Sequence, residues 1–332
     1  MFKARHKNLL ISRAGQTIGS ENLDNLICAV VRIPNRAYHR FDAHDSEVNA
    51  VRWSPHGNLV ATAGADRKIK LWDVSKGSHE SRGILTGSNG AVMSLDYDAS
   101  GNLLLASSSD FACRVWSLDD MRLRHTLTGH GAKIFSAKFM GDNTRVCSGS
   151  HDKTLKVWDL RSRACINTFF PGSNCHDLVC LDTQIISGHY DRRVRFYDVR
   201  TGTRPTQEIV LEGKVTSTDL AKSGQSLLAC SRDDCLTVFD LRATGAPQTV
   251  FRADGFHVGF DYTRAAFSPD SDYVSAGSGD GAVFIWKVDA PARPAKILRE
   301  HKEGVICMAW QPAGNGIMSC DRAKEVIIWT DM

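Results

Sequence analysis

No stretch of the 332-residue chain approaches the about 18 consecutive apolar residues that a membrane-crossing helix needs. It also lacks a Gly-rich phosphate loop, a His-Glu-x-x-His pair, a calcium loop and a nucleophile elbow. Catalysis therefore has no motif to support it, and neither a cofactor nor a metal is expected. Among ten cysteines there is no Cys-x-x-Cys and no zinc-ligand spacing, and Cys175, His176 and Cys180 want a fourth ligand. Most of these thiols lie in apolar runs, where free cysteine behaves as a small buried hydrophobe, so reduced thiols in a cytosolic protein are expected. A net charge of +4 is small for this length and lacks the concentrated basic face of a nucleic-acid binder. The first acid is Glu21, and Leu9–Ile11 is too short for a signal core, so residues 1–35 are expected to be a flexible amino-terminal segment.

What the chain does have is a repeat. Residues 127–160 open on Gly129-His130 and close on Trp158-Asp159, with two runs between them, Ile134 to Phe139 and Leu155 to Trp158, that alternate at the strand period of two. The closing aromatic recurs at Trp72, Trp116, Trp158, Tyr197, Phe239, Trp286 and Trp329, separated by 44, 42, 39, 42, 47 and 43 residues. Seven units of that period with Gly-His and Trp-Asp signatures resemble the WD-repeat family. They imply an all-β chain, a seven-bladed β-propeller over residues 36–332. The last unit stops three residues after Trp329, too soon for an outer strand. An amino-terminal strand must supply it, and Ala37 to Phe41 is favoured over Ile27 to Ile33, because an open array would leave a sheet edge free to pair.

His44, His130 and His301 each lie 28 residues before a closing Trp, and an aspartate lies six before the aromatic in every unit but the seventh, which has Ala323. Ser148, His130 and Asp152 imitate a hydrolase triad. His44, Thr62 and Asp66 repeat the set, however, and a catalytic constellation rarely recurs around a ring. The two groups, His44-Thr62-Asp66-Trp72 and His130-Ser148-Asp152-Trp158, are expected to be structural tetrads, and no catalytic residue is assigned.

Two positions per unit are expected on one face: the residue before the turn aspartate and the residue entering the innermost strand. The first kind comprises Ala65, Ser109, His151, Tyr190, Arg232 and Gly279, and the second includes Glu47, Lys133, Lys214 and Asp261. Units three to five thereby gather Lys133, His151, Lys153, Tyr190, Arg192, Arg193, Lys214 and Arg232. Basic groups around an exposed tyrosine suit an acidic peptide with an aromatic anchor. Nucleic acid is not expected, since no aromatic series tracks the basic groups.

Residues outside the repeat signature narrow the resemblance. Phe41-Asp42-Ala43-His44-Asp45, Ser109-Asp110-Phe111-Ala112 with Arg114-Val115-Trp116, Arg122 to His130, Ser187-Gly188-His189 and Cys230 to Asp234 resemble the propeller of the autophagy-related sixteen-like proteins, over about residues 36–332. The resemblance implies a non-catalytic scaffold that binds protein partners and directs lipidation of ubiquitin-like proteins to membranes. It implies peptide motifs of membrane-associated proteins as ligands, proton-pumping ATPase subunits among the partners, and a cytoplasmic chain whose membrane contact is indirect. Family positions tied to lipidation at single membranes fall on Tyr190 and Lys214. Residues 1–35 hold no heptad run, so the segments that dimerise and bind conjugation enzymes are expected to be absent from this chain. The alternatives are a phosphoinositide-binding propeller, whose Phe-Arg-Arg-Gly motif is echoed only faintly by Tyr190-Asp191-Arg192-Arg193, and a generic WD-repeat subunit of a multiprotein complex.

Overall fold

The computed structural model of the protein describes residues 31–74, 79–243 and 247–331. Its strands form seven four-stranded antiparallel sheets, each an up-and-down meander. In the first blade these strands are Val48–Trp53, Leu59–Gly64, Ile69–Asp73 and Glu80–Leu85. The first strands of successive blades lie against one another around the axis. An innermost strand such as Ile134–Phe139 is therefore buried almost throughout, whereas the outermost strand of the same blade, Ala164–Phe169, exposes its first three residues. Sheet-on-sheet packing puts the core between blades. Seven apolar clusters fill the seven gaps, for example Leu71, Leu85, Leu95 and Trp116 between blades one and two, and Leu228, Phe251, Phe284 and Trp286 between five and six.

The ring closes as the amino-terminal strand requires. Arg36–Asp42 pairs antiparallel with Glu325–Thr330 as the outermost strand of blade seven, with Phe41 opposite Val326. The Phe41 ring also meets Trp72 of blade one edge-on, with centroids 4.9 Å apart, so the strand ties the last blade to the first. The competing stretch, residues 27–33, lies partly outside the described residues. Its Val31 is buried, and the Arg32 N–H donates to the Gly314 carbonyl at 3.1 Å.

Six innermost strands carry a β-bulge one residue after their start, at Val48/Ala50, Val92/Ser94, Ile134/Ser136, Cys175/Asp177, Val215/Ser217 and Val305/Cys307. A bulge leaves one residue unpaired and re-aims its side chain. Blade six differs: its innermost strand is only Ala265–Phe267, and residues 252–264 form a long loop before it. That loop accounts for the 47-residue spacing between Phe239 and Trp286.

Deleting residues 1–42 strips blade seven of its outer strand and exposes the edge of Glu325–Thr330. The shortened chain is expected to aggregate and to melt earlier than the full chain, as read by light scattering and thermal unfolding. A monomer of unchanged stability contradicts ring closure by this strand.

Candidate functional site

The residues that look most chemical are joined to one another inside the blades. His130 Nε2 lies 2.7 Å from Ser148 Oγ, its Nδ1 lies 2.7 Å from Asp152 Oδ2, and Trp158 Nε1 donates to Ser148 Oγ at 2.8 Å. Blade one repeats this: His44 meets Thr62 Oγ1 at 2.8 Å and Asp66 at 3.0 Å, and Trp72 Nε1 donates to Thr62 at 2.9 Å. Ser148 and Thr62 are fully buried, so no substrate can reach either hydroxyl. The turn aspartates also accept backbone N–H groups from two loops: Asp152 accepts from Gly131 and Thr154, and Asp66 from Asp45 and Lys68.

Blade seven holds a third such group that Ala323 concealed. His301 lies 2.6 Å from Ser319 Oγ and 2.9 Å from Asp321 Oδ2, and Trp329 Nε1 donates to Ser319 at 2.7 Å. The aspartate has moved two residues toward the strand. Ser319 still stands ten residues before Trp329, as Ser148 does before Trp158, and that spacing was the available signal. Among the described residues, His301, Asp321 and Glu325 are the one group of donors close enough to share a metal. All are buried, and Glu325 also pairs with Arg40 at 3.3 Å, so their geometry is that of a blade hub. Cys175, His176 and Cys180 do not converge: the Cys175 thiol donates to the Asp177 carbonyl, and His176 Nδ1 donates to the Val215 carbonyl at 2.9 Å.

The face expected from the repeat is assembled by one recurring hydrogen bond. The residue before each turn aspartate donates its N–H to the residue entering the innermost strand: Ala65 to Glu47, His151 to Lys133 and Arg232 to Lys214, at 2.9, 3.0 and 2.9 Å. Tyr190 donates in the same way to Asn174, and Gly279 to His257. His257 thus holds the place in blade six expected for Asp261. Asp261 instead rides on the long loop over the channel mouth, where it pairs with Arg232 at 3.4 Å.

At the centre of this face the Lys214 ammonium sits over the Tyr190 ring, 4.0 Å from its centroid. Tyr190 is 46% exposed. Its edge meets His176, His176 lies against His151, and His151 stacks on Phe135 at 4.1 Å. Beyond Phe135 the chain of rings continues to Tyr262 and Phe260, and Arg322 covers Phe260 while pairing with Glu47 at 2.6 Å. An aromatic series therefore does cross the basic group, contrary to the expectation from linear order. Phe135 and His176 are the unpaired residues of two β-bulges, a turn of the backbone that strand alternation conceals. Arg322 is the blade-seven counterpart of Tyr190, missed because it precedes Ala323.

The basic residues divide. Lys133, Lys153 and Arg192 are exposed and Lys214 half-buried, and among the described residues none has an ion pair. Lys153 and Arg192 occupy left-handed turn positions, with φ of 66° and 68°. Arg193 does not join them: it pairs with Glu208 on the outermost strand of blade four, as does Arg195 at 2.9 Å. Beneath the mouth, Arg264 spans the axis, donating to Asp177 Oδ1 at 2.7 Å and to the Phe135 carbonyl at 3.1 Å. This buried clamp fixes both bulged strands from below. The result is a rigid aromatic platform topped by unpaired ammonium groups, suited to an aromatic ring and a carboxylate together.

Burial holds His189 down to about 4, with nearby Arg195 adding to the effect. Burial and the neighbouring His176 and Lys133 hold His151 down to about 4 as well. Burial is also the largest influence lowering His44, His130 and His176, acting against the raising effect of Asp66, Asp152 and the Val215 carbonyl in turn. Between about 4 and the ordinary 6.5 the unfolded chain binds protons that the folded chain refuses, so stability rises with pH across that window. The thermal midpoint is expected to fall on acidification from pH 6.5 toward 4, and less steeply in His189→Gln; a flat profile contradicts the burial account. Asp152→Ala and Asp321→Ala each leave a buried histidine without its partner and are expected to cost about 1–3 kcal/mol in denaturant unfolding.

Residues 35–73, 79–117, 121–159, 253–287 and 292–330, more than half of the chain, match the WD domain, G-beta repeat family. The chain is 41% identical over 303 residues to the Mus musculus protein Atg16l2, covering 91% of this chain and 48% of that one. It is 36% identical over 332 residues to the Caenorhabditis elegans autophagic-related protein 16.2, covering 97% and 61%. With the Arabidopsis thaliana autophagy-related protein 16 it shares 32% over 302 residues, covering 90% and 58%. It thus spans roughly half to three-fifths of the length of these relatives. The seven closed blades, the repeat match and these likenesses place the chain in the WD-repeat family, as a propeller of the autophagy-related sixteen-like proteins.

Proposed function

We propose that the propeller is the partner-binding part of an autophagy scaffold, and that the face over blades three to five takes acidic, aromatic-bearing peptide segments of membrane-associated proteins. The observation that carries this is the Lys214 ammonium stacked on the exposed Tyr190 ring. A lysine held there keeps N–H donors for a carboxylate, and the ring beside it offers apolar area at little entropic cost. Lys133, His151, Lys153 and Arg192 extend the same surface, and Arg232 borders it through its ion pair with Asp261.

In this reading the chain performs no catalysis. It works in the cytoplasm and reaches membranes through its partners, proton-pumping ATPase subunits among them, and so directs where ubiquitin-like proteins are joined to lipid. The names of its relatives support the autophagy assignment. A phosphoinositide propeller would need Arg192 and Arg193 together on a headgroup. The ion pair between Arg193 and Glu208 works against that.

The test is affinity capture from cytosol and from detergent-extracted membranes with wild type, Tyr190→Ala and Lys214→Glu. Loss of a common set of membrane proteins from both variants is expected, with isolated partner peptides weakened about tenfold. Capture of the same set by all three proteins removes this face from the account. Binding to protein-free phosphoinositide vesicles transfers it to lipid recognition.

A further inference from the structure

The two most exposed large apolar side chains among the described residues are Phe170, at 71%, and Val210, at 65%. They occupy one position of the repeat. Each directly follows the last inward-facing residue of an outermost strand: Phe169, paired with Leu155, and Ile209, paired with Val194. The same step falls on Thr86, Thr128, Arg252, Arg299 and Asp42 in the other five blades. Five blades thus present a polar residue at this rim, and blades three and four, which are neighbours, present Phe and Val.

Both flank the turn that bears Tyr190. Phe170 opens the loop whose Ser173 hydroxyl accepts the Asp191 N–H at 3.1 Å and whose Asn174 carbonyl accepts the Tyr190 N–H at 3.0 Å. Val210 lies opposite Arg193, and the next N–H, that of Leu211, donates to the Arg192 carbonyl at 2.8 Å. From this we infer that the binding face extends outward over the rim, and that Phe170 and Val210 receive two apolar side chains of an extended acidic peptide whose other end lies on Tyr190 and Lys214. The inference rests on the peptide-binding reading proposed above.

Charge selects the occupant. Lys153, Arg192 and Lys214 border the apolar pair, the nearby Asp191 is taken by Arg195 at 2.5 Å, and Glu208 is taken by Arg193 and Arg195. Asp233, which lines one groove with Val210 and Glu212, is taken by Arg252 at 3.3 Å, and of these two acids Glu212 is the one left to oppose the excess. A second copy of this chain docked face to face would bring those cations against each other, whereas a partner carrying carboxylates beside its apolar residues neutralises them.

The test uses a phage-displayed library of random dodecapeptides, selected on the wild-type chain, and synthetic versions of the selected peptides. Peptides with two apolar residues and at least one carboxylate are expected. Binding should weaken by about tenfold or more in Phe170→Thr/Val210→Thr and comparably in Lys153→Glu/Arg192→Glu. Thr is the residue that blades one and two carry at this position, so the double variant should retain the wild-type thermal midpoint. Unchanged affinity in that variant, or no selected peptide, overturns the inference. If Lys214→Glu abolishes binding while Phe170→Thr/Val210→Thr does not, the mouth reading stands and the rim reading fails. Wild-type dimers in sedimentation that the double variant dissociates would also overturn it, assigning the rim to a second copy.

Discussion

The antiparallel pairing of Arg36–Asp42 with Glu325–Thr330 is the contact on which the rest depends. A row of four-stranded sheets that does not close leaves an edge at one end and an uncovered apolar sheet face at each, and neither is tolerable in water. Closure by an amino-terminal strand puts the two ends of the described chain, covalently distant, into one sheet, that of blade seven. Phe41 then reaches across to Trp72, so the seam is packed like every other gap. Only a closed ring holds the first strands of all blades at one radius, and only then do loops distant in sequence share a channel mouth.

Within the ring, each blade anchors its turn by charge. In blades one, three and seven the turn aspartate holds a histidine: Asp66 with His44, Asp152 with His130, Asp321 with His301. Elsewhere it holds an arginine: Asp110 with Arg114, Asp191 with Arg195, Asp233 with Arg252, Asp280 with Arg299. Two chemistries thus serve one purpose, tying the turn between the second and third strands to the blade's own framework. Because these carboxylates are spent, the exposed Lys133, Lys153 and Arg192 and the half-buried Lys214 are left without ion pairs on the upper face of blades three to five. The scaffold sets the electrostatics of the surface by consuming its acids.

Much of this was legible in the chain. The aromatic spacing announced seven blades, Ala37 to Phe41 falls in the strand that completes the last of them, and the repeated His-Asp spacing recurs as paired side chains in blades one and three. In six blades one backbone hydrogen bond ties the residue before the turn aspartate to the residue entering the innermost strand. What stayed hidden has physical causes. The bulges at Ile134/Ser136 and Cys175/Asp177 turn Phe135 and His176 to the mouth, against the alternation that strand reading assumes. Asp321 lies two residues off its expected place, which concealed both the third hub and Arg322. The loop of blade six carries Phe260, Asp261 and Tyr262 over the axis, and no periodicity encodes a loop. Arg193 was misplaced because one residue along a strand reverses its direction.

The central claim is that partners engage the upper face of blades three to five. Hydrogen–deuterium exchange of the chain, free and saturated with a captured partner peptide, tests it most directly. The account predicts slowed exchange confined to residues 170–176, 189–195 and 210–215. Protection that spares these segments and falls instead on the opposite mouth, around Trp53, Tyr97 and Trp310, would contradict it.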